Sequence, residues 1–162
     1  MIEAILKRKK IRLPSPSYLQ GNAFFITIAT YEKYPWFRLY PQLSDAAQVM
    51  LCTIAEERGA KLYAWCIMPD HIHILLEDNN IVEFARLFKG RMTPKTRVFE
   101  RNRKLWQRSF YDHGLRTEED LFDVAVYIWE NPVRASLIED PGRYIRFGSN
   151  VWGNWWEFCK MC

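Results

Sequence analysis

The fold is decided by the stretch KLYAWCIMPDHIHILLE, residues 61–77. Two apolar runs rich in β-branched and aromatic residues flank Pro69 and Asp70, a pattern that predicts two antiparallel strands joined by a tight turn. Side chains alternate between the two faces of a strand, so His71 and His73 project from one face and Ile72 from the other. The sequence therefore predicts two imidazoles side by side on a rigid hairpin.

Two further elements precede the hairpin. The run AFFITIAT, residues 23–30, is rich in β-branched and aromatic residues and predicts a strand. An apolar stripe at helical spacing then predicts a helix over residues 44–59, with Ser44 as its N-cap and Gly59 at its end. A strand and a helix are thus expected before the hairpin.

Three elements are expected after the hairpin. A basic amphipathic helix is predicted over residues 81–92, with Pro94 near its end. Residues 105–116 mix aromatic and charged residues and are expected to contain a strand. A third helix is expected to start at a cap formed by Thr117 and to stop at Pro132. Its buried stripe would consist of Leu121, Val124, Ala125 and Ile128.

The order strand, helix, strand, strand, helix, strand, helix predicts an α+β fold, a ferredoxin-like antiparallel sheet with helices packed on it. We expect one domain over residues 1–162, with a basic amino-terminal arm over residues 1–17. A Trp-rich tail over residues 148–162 is expected to dock on the core, with an interface as the alternative. Cys52 and Cys66 fall within apolar patterns, so both are predicted to be buried free thiols.

Charge is distributed unevenly along the chain. The 162 residues carry a net charge of only +4, but residues 84–104 hold eight Lys and Arg against one acidic residue. Such a run fits a phosphate-bearing partner, although a solvated helix face has the same composition. No apolar stretch approaches the roughly 20 residues of a membrane-spanning helix, which predicts a cytoplasmic protein without a membrane partner.

The histidine pair suggests a metal site. Alternate residues of a strand lie about 6 to 7 Å apart, from which two imidazoles can reach one ion at about 2.0 to 2.2 Å. Surface or core packing is the commoner explanation of an isolated His-x-His pair. On the third helix, Tyr127 and Asn131 stand four residues apart on one flank. Asn131 would add a neutral oxygen ligand and leave positions open for a phosphate oxygen, unless the two residues merely border the core and end the helix.

Several ordered motifs carry a family resemblance. Residues 68–77, 84–93, 105–116 and 127–138 read MPDHIHILLE, FARLFKGRMT, LWQRSFYDHGLR and YIWENPVRASLI. They resemble successive signatures of the REP-associated tyrosine transposases, a branch of the single-tyrosine HUH superfamily, and the resemblance runs from Phe24 to Phe147. It implies the HUH nuclease fold and a metal-dependent, single-stranded DNA endonuclease and strand-transferase that acts on hairpin or palindromic DNA.

The resemblance also assigns residues. His71 and His73 match the HUH pair, Tyr127 matches the nucleophile, and Asn131 matches the third metal-ligand position, where insertion-sequence relatives tend to have glutamine. The implied cofactor is Mg²⁺ or Mn²⁺, and the implied intermediate is a 5′-phosphotyrosine. Ser136 departs from the pattern, since the family often has glycine there.

The implied partner is single-stranded or hairpin DNA, bound by a monomer or a homodimer that is cytoplasmic and nucleoid-associated. Trp106 and Tyr111 could stack unpaired bases, although core packing is the commoner fate of an aromatic residue. Phosphate contacts are expected from basic residues, each of which could equally be a solvated charge: Lys89, Arg91, Lys95, Arg97 and Arg116.

Two other functions fit the same residues. A domesticated protein could use the basic surface to hold structured DNA without cutting it. A metal-dependent phosphodiesterase would need the histidine pair but would not need Tyr127. A covalent protein–DNA intermediate separates the transposase from both alternatives.

Overall fold

A computed structural model describes residues 22–115 and 118–153, with the side chains of residues 118–120 left out. Five antiparallel strands form one sheet in the order β4-β1-β3-β2-β5. The strands are β1 (Ala23–Ala29), β2 (Lys61–Ile67), β3 (His71–Glu77), β4 (Tyr111–Gly114) and β5 (Phe147–Gly148). The predicted order of elements and the α+β class are confirmed, and β5 is an addition that the sequence did not suggest.

Four α-helices lie in the described ranges; three follow the predicted order, and the short first one is an addition. They are α1 (Trp36–Leu39), α2 (Pro41–Arg58), α3 (Ile81–Met92) and α4 (Glu118–Arg134). Short 3-10 helices cover Tyr31–Lys33, Thr93–Val98 and Pro141–Arg143. Within the described ranges, no helix is long and apolar enough to cross a membrane.

The predicted hairpin forms the centre of the sheet. The backbone N–H of Met68 donates to the carbonyl of His71 at 2.8 Å and closes the turn. In the ladder that follows, Ile67 pairs with Ile72 and Cys66 pairs with His73. The turn and the register together fix which side of the sheet each histidine faces.

Each face of the sheet has its own core. Ile72, Ile74 and Leu76 of β3 pack in one cluster with the buried residues of α2 and α3. Leu75 instead packs in a second cluster, which contains three buried residues of α4: Val124, Ala125 and Ile128. The predicted alternation along β3 is therefore confirmed. The predicted stripe of α4 is confirmed except that Leu121 is half-buried, and helices cover both faces of the sheet.

The start of α2 differs from the prediction. The helix begins at Pro41, three residues before the expected cap at Ser44. Proline suits the first helical position because its missing N–H would have no partner there and its φ is already helical. Ser44 lies inside the helix, where its buried hydroxyl donates to the carbonyl of Phe37 at 2.9 Å. The expected end is confirmed, since Gly59 is left-handed with φ +65°.

The end of α4 also differs from the prediction. Pro132 does not stop the helix, which continues to Arg134. Proline removes the backbone donor that the carbonyl of Ile128 would receive. The side-chain Nδ2 of Asn131 lies 3.5 Å from that carbonyl and partly replaces the missing donor. The chain leaves the helix only at Ser136, which has φ +55°. The expected cap at Thr117 lies outside the described residues.

The two thiols differ in exposure. Cys66 is fully buried, as predicted, but Cys52 is exposed, so that part of the prediction is wrong. Cys52 lies one residue from buried Leu51 on α2, and the 100° step around the helix turns it outward. Of the predicted tail, residues 148–153 are described, and Trp152 packs against Trp129 at 5.9 Å between ring centroids. The predicted arm and residues 154–162 lie outside the described residues.

Candidate metal and tyrosine site

The two histidines converge through their Nε2 atoms. These atoms lie 3.0 Å apart, and the ring planes stand at 77° to each other. Two ligands at a right angle, each about 2.1 Å from a divalent ion in octahedral geometry, would lie about 3.0 Å apart. The Nε2 atoms of His71 and His73 are therefore spaced as two adjacent ligands around one small divalent ion would be.

The opposite nitrogen of each ring is also held. Nδ1 of His71 lies 2.6 Å from Oδ1 of Asp70, and Nδ1 of His73 lies 2.9 Å from Oγ1 of Thr27. The turn itself is fixed to β1, because the backbone N–H and the hydroxyl of Thr30 both donate to the carbonyl of Asp70, at 2.9 and 2.8 Å. Hydrogen bonds at Nδ1 orient a metal-binding imidazole, so both rings are held for ligation through Nε2.

Burial keeps the His73 imidazole neutral. The ring of Phe25 stacks on it at 5.4 Å between centroids. Burial lowers the pKa of His73 well below 6.5, and the neighbouring His71 lowers it further. The hydrogen bond with His71 also lowers the pKa of Asp70, so this carboxylate stays charged. A neutral imidazole has the free lone pair that a metal requires.

The pair needs a third ligand of another kind. In the described part of the chain, no third His, Cys, Asp or Glu joins the two histidines to form a metal-binding group. An amide oxygen is a suitable ligand for Mg²⁺ or Mn²⁺. Asn131 is a half-buried amide on α4, the helix that covers the histidine face of the sheet.

Asn131 is oriented by its own helix. Its Nδ2 donates to the carbonyl of Tyr127 at 2.9 Å. Its Oδ1 accepts no hydrogen bond from the residues that the structure describes. Within the described ranges, the amide is thus held through its nitrogen, and its oxygen has no competing donor.

Tyr127 lies one turn before Asn131 and is half-buried. The guanidinium of Arg134 lies over its ring, with Cζ 4.5 Å from the centroid. Arg134 also pairs with Glu130 at 3.2 Å. A cation over the ring fixes its orientation and places positive charge beside the phenol, where an approaching phosphate would benefit from it.

The predicted phosphate-binding residues fall into two groups. Lys89 donates to the carbonyls of Gln107 and Arg108 at 2.6 and 3.2 Å, and Arg91 pairs with Glu57 at 2.8 Å. Both side chains thus have partners within the protein. Lys95 and Arg97 are exposed, and Arg116 lies outside the described residues. Trp106 is buried in the core, whereas Tyr111 is half-buried at the edge of the second cluster.

An open cavity of about 680 Å³ lies beside the Thr93–Val98 helix. It is lined by Arg97, Val98, Arg101 and Asn102. Neither arginine forms an ion pair with any residue of the described ranges. Among the residues that the structure describes, the cavity thus has two arginines without an acidic partner.

Sequence reasoning missed four residues that hold the site: Thr27, Phe25, Asp70 and Arg134. Asp70 stands next to His71 in the sequence, so adjacency was an available signal. Arg134 follows Tyr127 by seven residues, a spacing that places both on one helix face. No local signal marks Thr27 or Phe25, because their contacts with His73 depend on the register of β1 against β3.

Comparisons with known proteins identify the family of the chain. The sequence model of the family described as IS200-like transposase matches residues 24–130. A Haemophilus influenzae protein assigned as a REP-associated tyrosine transposase is 29% identical over 137 residues, which cover 75% of this chain and 76% of the relative. A REP-associated tyrosine transposase of Escherichia coli is 22% identical over 126 residues, which cover 75% and 73% of the two chains.

Solved structures show the same fold. The structure of a REP-associated tyrosine transposase bound to a REP hairpin superposes with a TM-score of 0.68 at 19% identity, covering 86% of this chain and 82% of the other. A Deinococcus radiodurans structure assigned as a transposase gives a TM-score of 0.50 at 23% identity, covering 76% of this chain and 97% of the other. The family model spans both histidines and Tyr127. The chain belongs to the IS200-like transposase family, whose members are tyrosine transposases that nick and join DNA.

Proposed function

We propose that this transposase cuts and rejoins single-stranded DNA at hairpin or palindromic sites through a 5′-phosphotyrosine on Tyr127. His71, His73 and Asn131 would hold the divalent ion that transposases of this kind generally use, with Mg²⁺ or Mn²⁺ as the ion. The observation that carries the proposal is the 3.0 Å approach of the two Nε2 atoms on the sheet face that α4 covers.

The proposed donor set would leave a bound divalent ion able to act on a phosphate. Two neutral imidazoles and one amide leave the charge of the ion uncancelled and leave coordination positions open. When bound, such an ion would supply Lewis acidity to the scissile phosphate. The protein contributes two rings held at Nδ1 and an amide held at Nδ2, which restricts the orientation of each proposed ligand.

Tyr127 supplies the nucleophile. Its Oη attacks phosphorus, the bond from phosphorus to the 3′ oxygen breaks, and the strand leaves with a free 3′-OH after the phenolic proton passes to solvent and the leaving oxygen gains one. Arg134 holds the ring for this attack. Because phenolate is a better leaving group than a sugar alkoxide, a 3′-OH can reverse the step and join strands without a nucleotide triphosphate.

The exposed cations indicate where the DNA backbone would bind. Arg97 and Arg101 line one cavity. Lys95 lies with Arg97 on the Thr93–Val98 helix. Guanidinium groups contact phosphate through paired hydrogen bonds, so this surface suits the backbone of a hairpin stem. A relative of this fold was solved with a REP hairpin, which supports the same class of partner here.

A covalent adduct tests the proposal. The protein is incubated with hairpin oligonucleotides and Mn²⁺, and a denaturing gel is used to look for a protein–DNA band. We expect the band with the wild type and its loss with Tyr127→Phe. Tyr31→Phe is the matched control, because it removes the same hydroxyl from an exposed tyrosine elsewhere and should retain the band.

The other outcomes select the alternatives. Tight hairpin binding without an adduct under any metal condition would indicate a domesticated DNA-binding protein. Turnover of phosphodiesters that survives Tyr127→Phe would indicate a phosphodiesterase that uses the histidine pair alone. An adduct that persists in Tyr127→Phe would show that another residue is the nucleophile.

The salt dependence of hairpin binding tests the cavity. Each phosphate contact that is lost should reduce the slope of log K against log salt by about 1. Arg97→Ala combined with Arg101→Ala should therefore reduce it by about 2. Arg86→Ala is the control, because Arg86 is exposed but paired with Glu83 at 2.6 Å. An equal reduction of the slope in this variant would show that the cavity does not bind the DNA backbone specifically.

A further inference from the structure

Thr27 on β1 lies directly beside His73 on the adjacent strand β3. The two residues are register partners in the β1–β3 ladder, and the Thr27 hydroxyl lies 2.9 Å from Nδ1 of the imidazole. Both side chains are half-buried, so solvent only partly competes for this contact. We infer that Thr27 is a positioning residue whose hydroxyl lets His73 exchange one tautomer for the other when a divalent ion binds.

The first tautomer follows from the pair without a metal. The Asp70 carboxylate only accepts hydrogen bonds, so the contact at 2.6 Å places a hydrogen on Nδ1 of His71. When His71 is neutral, its Nε2 is bare. The hydrogen of the 3.0 Å contact between the Nε2 atoms must then belong to His73. His73 in that state carries its hydrogen on Nε2, and its Nδ1 accepts from the Thr27 hydroxyl.

The second tautomer follows from ligation. A metal at Nε2 of His73 needs the lone pair there, so the hydrogen must be on Nδ1. Thr27 then accepts that hydrogen bond through its oxygen. The ring carries one ring proton before and after the exchange, and only the nitrogen that bears it changes.

A hydroxyl group suits both states because it can donate or accept by rotation. A carboxylate in this place would only accept, and an aliphatic side chain would do neither. Without the hydroxyl, the metal-bound state would leave an N–H of His73 without a partner in a half-buried site. This inference rests on the proposed role of His73 as a metal ligand.

Two substitutions separate positioning from packing. Thr27→Val keeps the β-branched shape and removes the hydroxyl, whereas Thr27→Ser keeps the hydroxyl and removes the methyl group. Loss of a hydrogen-bond partner of a ligand typically weakens metal affinity by about 10- to 100-fold. We expect that loss in Thr27→Val and near wild-type affinity in Thr27→Ser, measured for Mn²⁺ by electron paramagnetic resonance.

In thermal unfolding of the metal-free proteins, we expect the two variants in the opposite order. Thr27→Ser should lower Tm more than Thr27→Val, because serine loses packing and strand preference. A purely structural threonine would instead weaken Mn²⁺ binding in proportion to the loss of Tm. Affinity and Tm together therefore distinguish the two roles even where one variant is less stable.

The tautomer itself is visible in long-range ¹H–¹⁵N spectra of the histidine rings. At about pH 8, where imidazoles are neutral, we expect His73 to carry its hydrogen on Nε2 without metal and on Nδ1 with Mg²⁺. An unchanged tautomer on Mg²⁺ binding, or equal Mn²⁺ affinity in Thr27→Val and wild type, would overturn the inference. If His73→Ala also left Mn²⁺ affinity unchanged, the metal site of the proposed function would fail as well.

Discussion

Replacing Gly148 by alanine is expected to destabilise the protein through one contact. Gly148 of β5 pairs with Trp65 of β2, and a Cβ on Gly148 would press into the indole ring. That atom would lie 2.9 Å from both Cε2 and Cη2, and closer still to Cζ2. Trp65 is only 7% exposed, so its ring has little room to move. Either the indole or β5 must shift.

The size of the effect follows from overpacking. Forcing an extra methyl group into a packed interior costs about 1 to 3 kcal/mol. For a chain of this length, that corresponds to a loss of about 2 to 12 °C in Tm. The shift also reaches α4, because the indole of Trp129 donates to the carbonyl of Gly148 at 3.2 Å. We therefore expect slower formation of the Tyr127 adduct in addition to the lower stability.

Gly90→Ala is the matched control, since it adds the same methyl group. Gly90 lies in α3, and an added Cβ would meet nothing within 4 Å. Alanine should stabilise this helix by about 0.5 to 1 kcal/mol. In urea unfolding, the midpoint concentration should thus fall for Gly148→Ala and rise for Gly90→Ala, while the slope m stays constant. A wild-type midpoint for Gly148→Ala, or a loss in both variants, would refute the reasoning.

Three other substitutions test separate contacts. Asp78→Ala should cost about 3 kcal/mol in urea unfolding, because this carboxylate is 1% exposed and accepts two hydrogen bonds from one guanidinium at 2.8 and 2.7 Å. Glu100→Gln should move the pKa of Tyr40 from about 12 towards 10.0, because the carboxylate accepts a hydrogen bond from the phenol. Ultraviolet titration measures this pKa. In the wild type, the stabilisation from this bond is complete below pH 10.0 and is lost as the pH rises through about 12. The free energy of unfolding of Glu100→Gln should not show this decrease. Arg134→Ala should slow adduct formation about two- to fivefold, the equivalent of the 0.5 to 1 kcal/mol of an exposed cation over the Tyr127 ring.

The places where the sequence misled are places where distant contacts outweigh a local preference. Serine is a favourable N-cap residue, but Ser44 lies inside the helix and its hydroxyl donates to the carbonyl of Phe37. Pro132 normally ends a helix, but α4 keeps its last turn, with the Asn131 amide beside the carbonyl that proline deprives of a donor. Cys52 looked buried because apolar residues surround it in the sequence, whereas the helical turn directs it outward.

The sequence by itself determined the hairpin, the common face of His71 and His73, and the buried stripe of α4. Those features follow from periods of two and 3.6 residues, which any short stretch of chain displays. Tertiary structure alone decided that α4 covers the histidine face and that Thr27 meets His73, two residues separated by 46 positions in the chain. It also decided that Lys89 and Arg91 have partners within the protein while Arg97 lines an open cavity. The physical reason is that strand register and helix packing join residues far apart in sequence, and no local pattern contains that information.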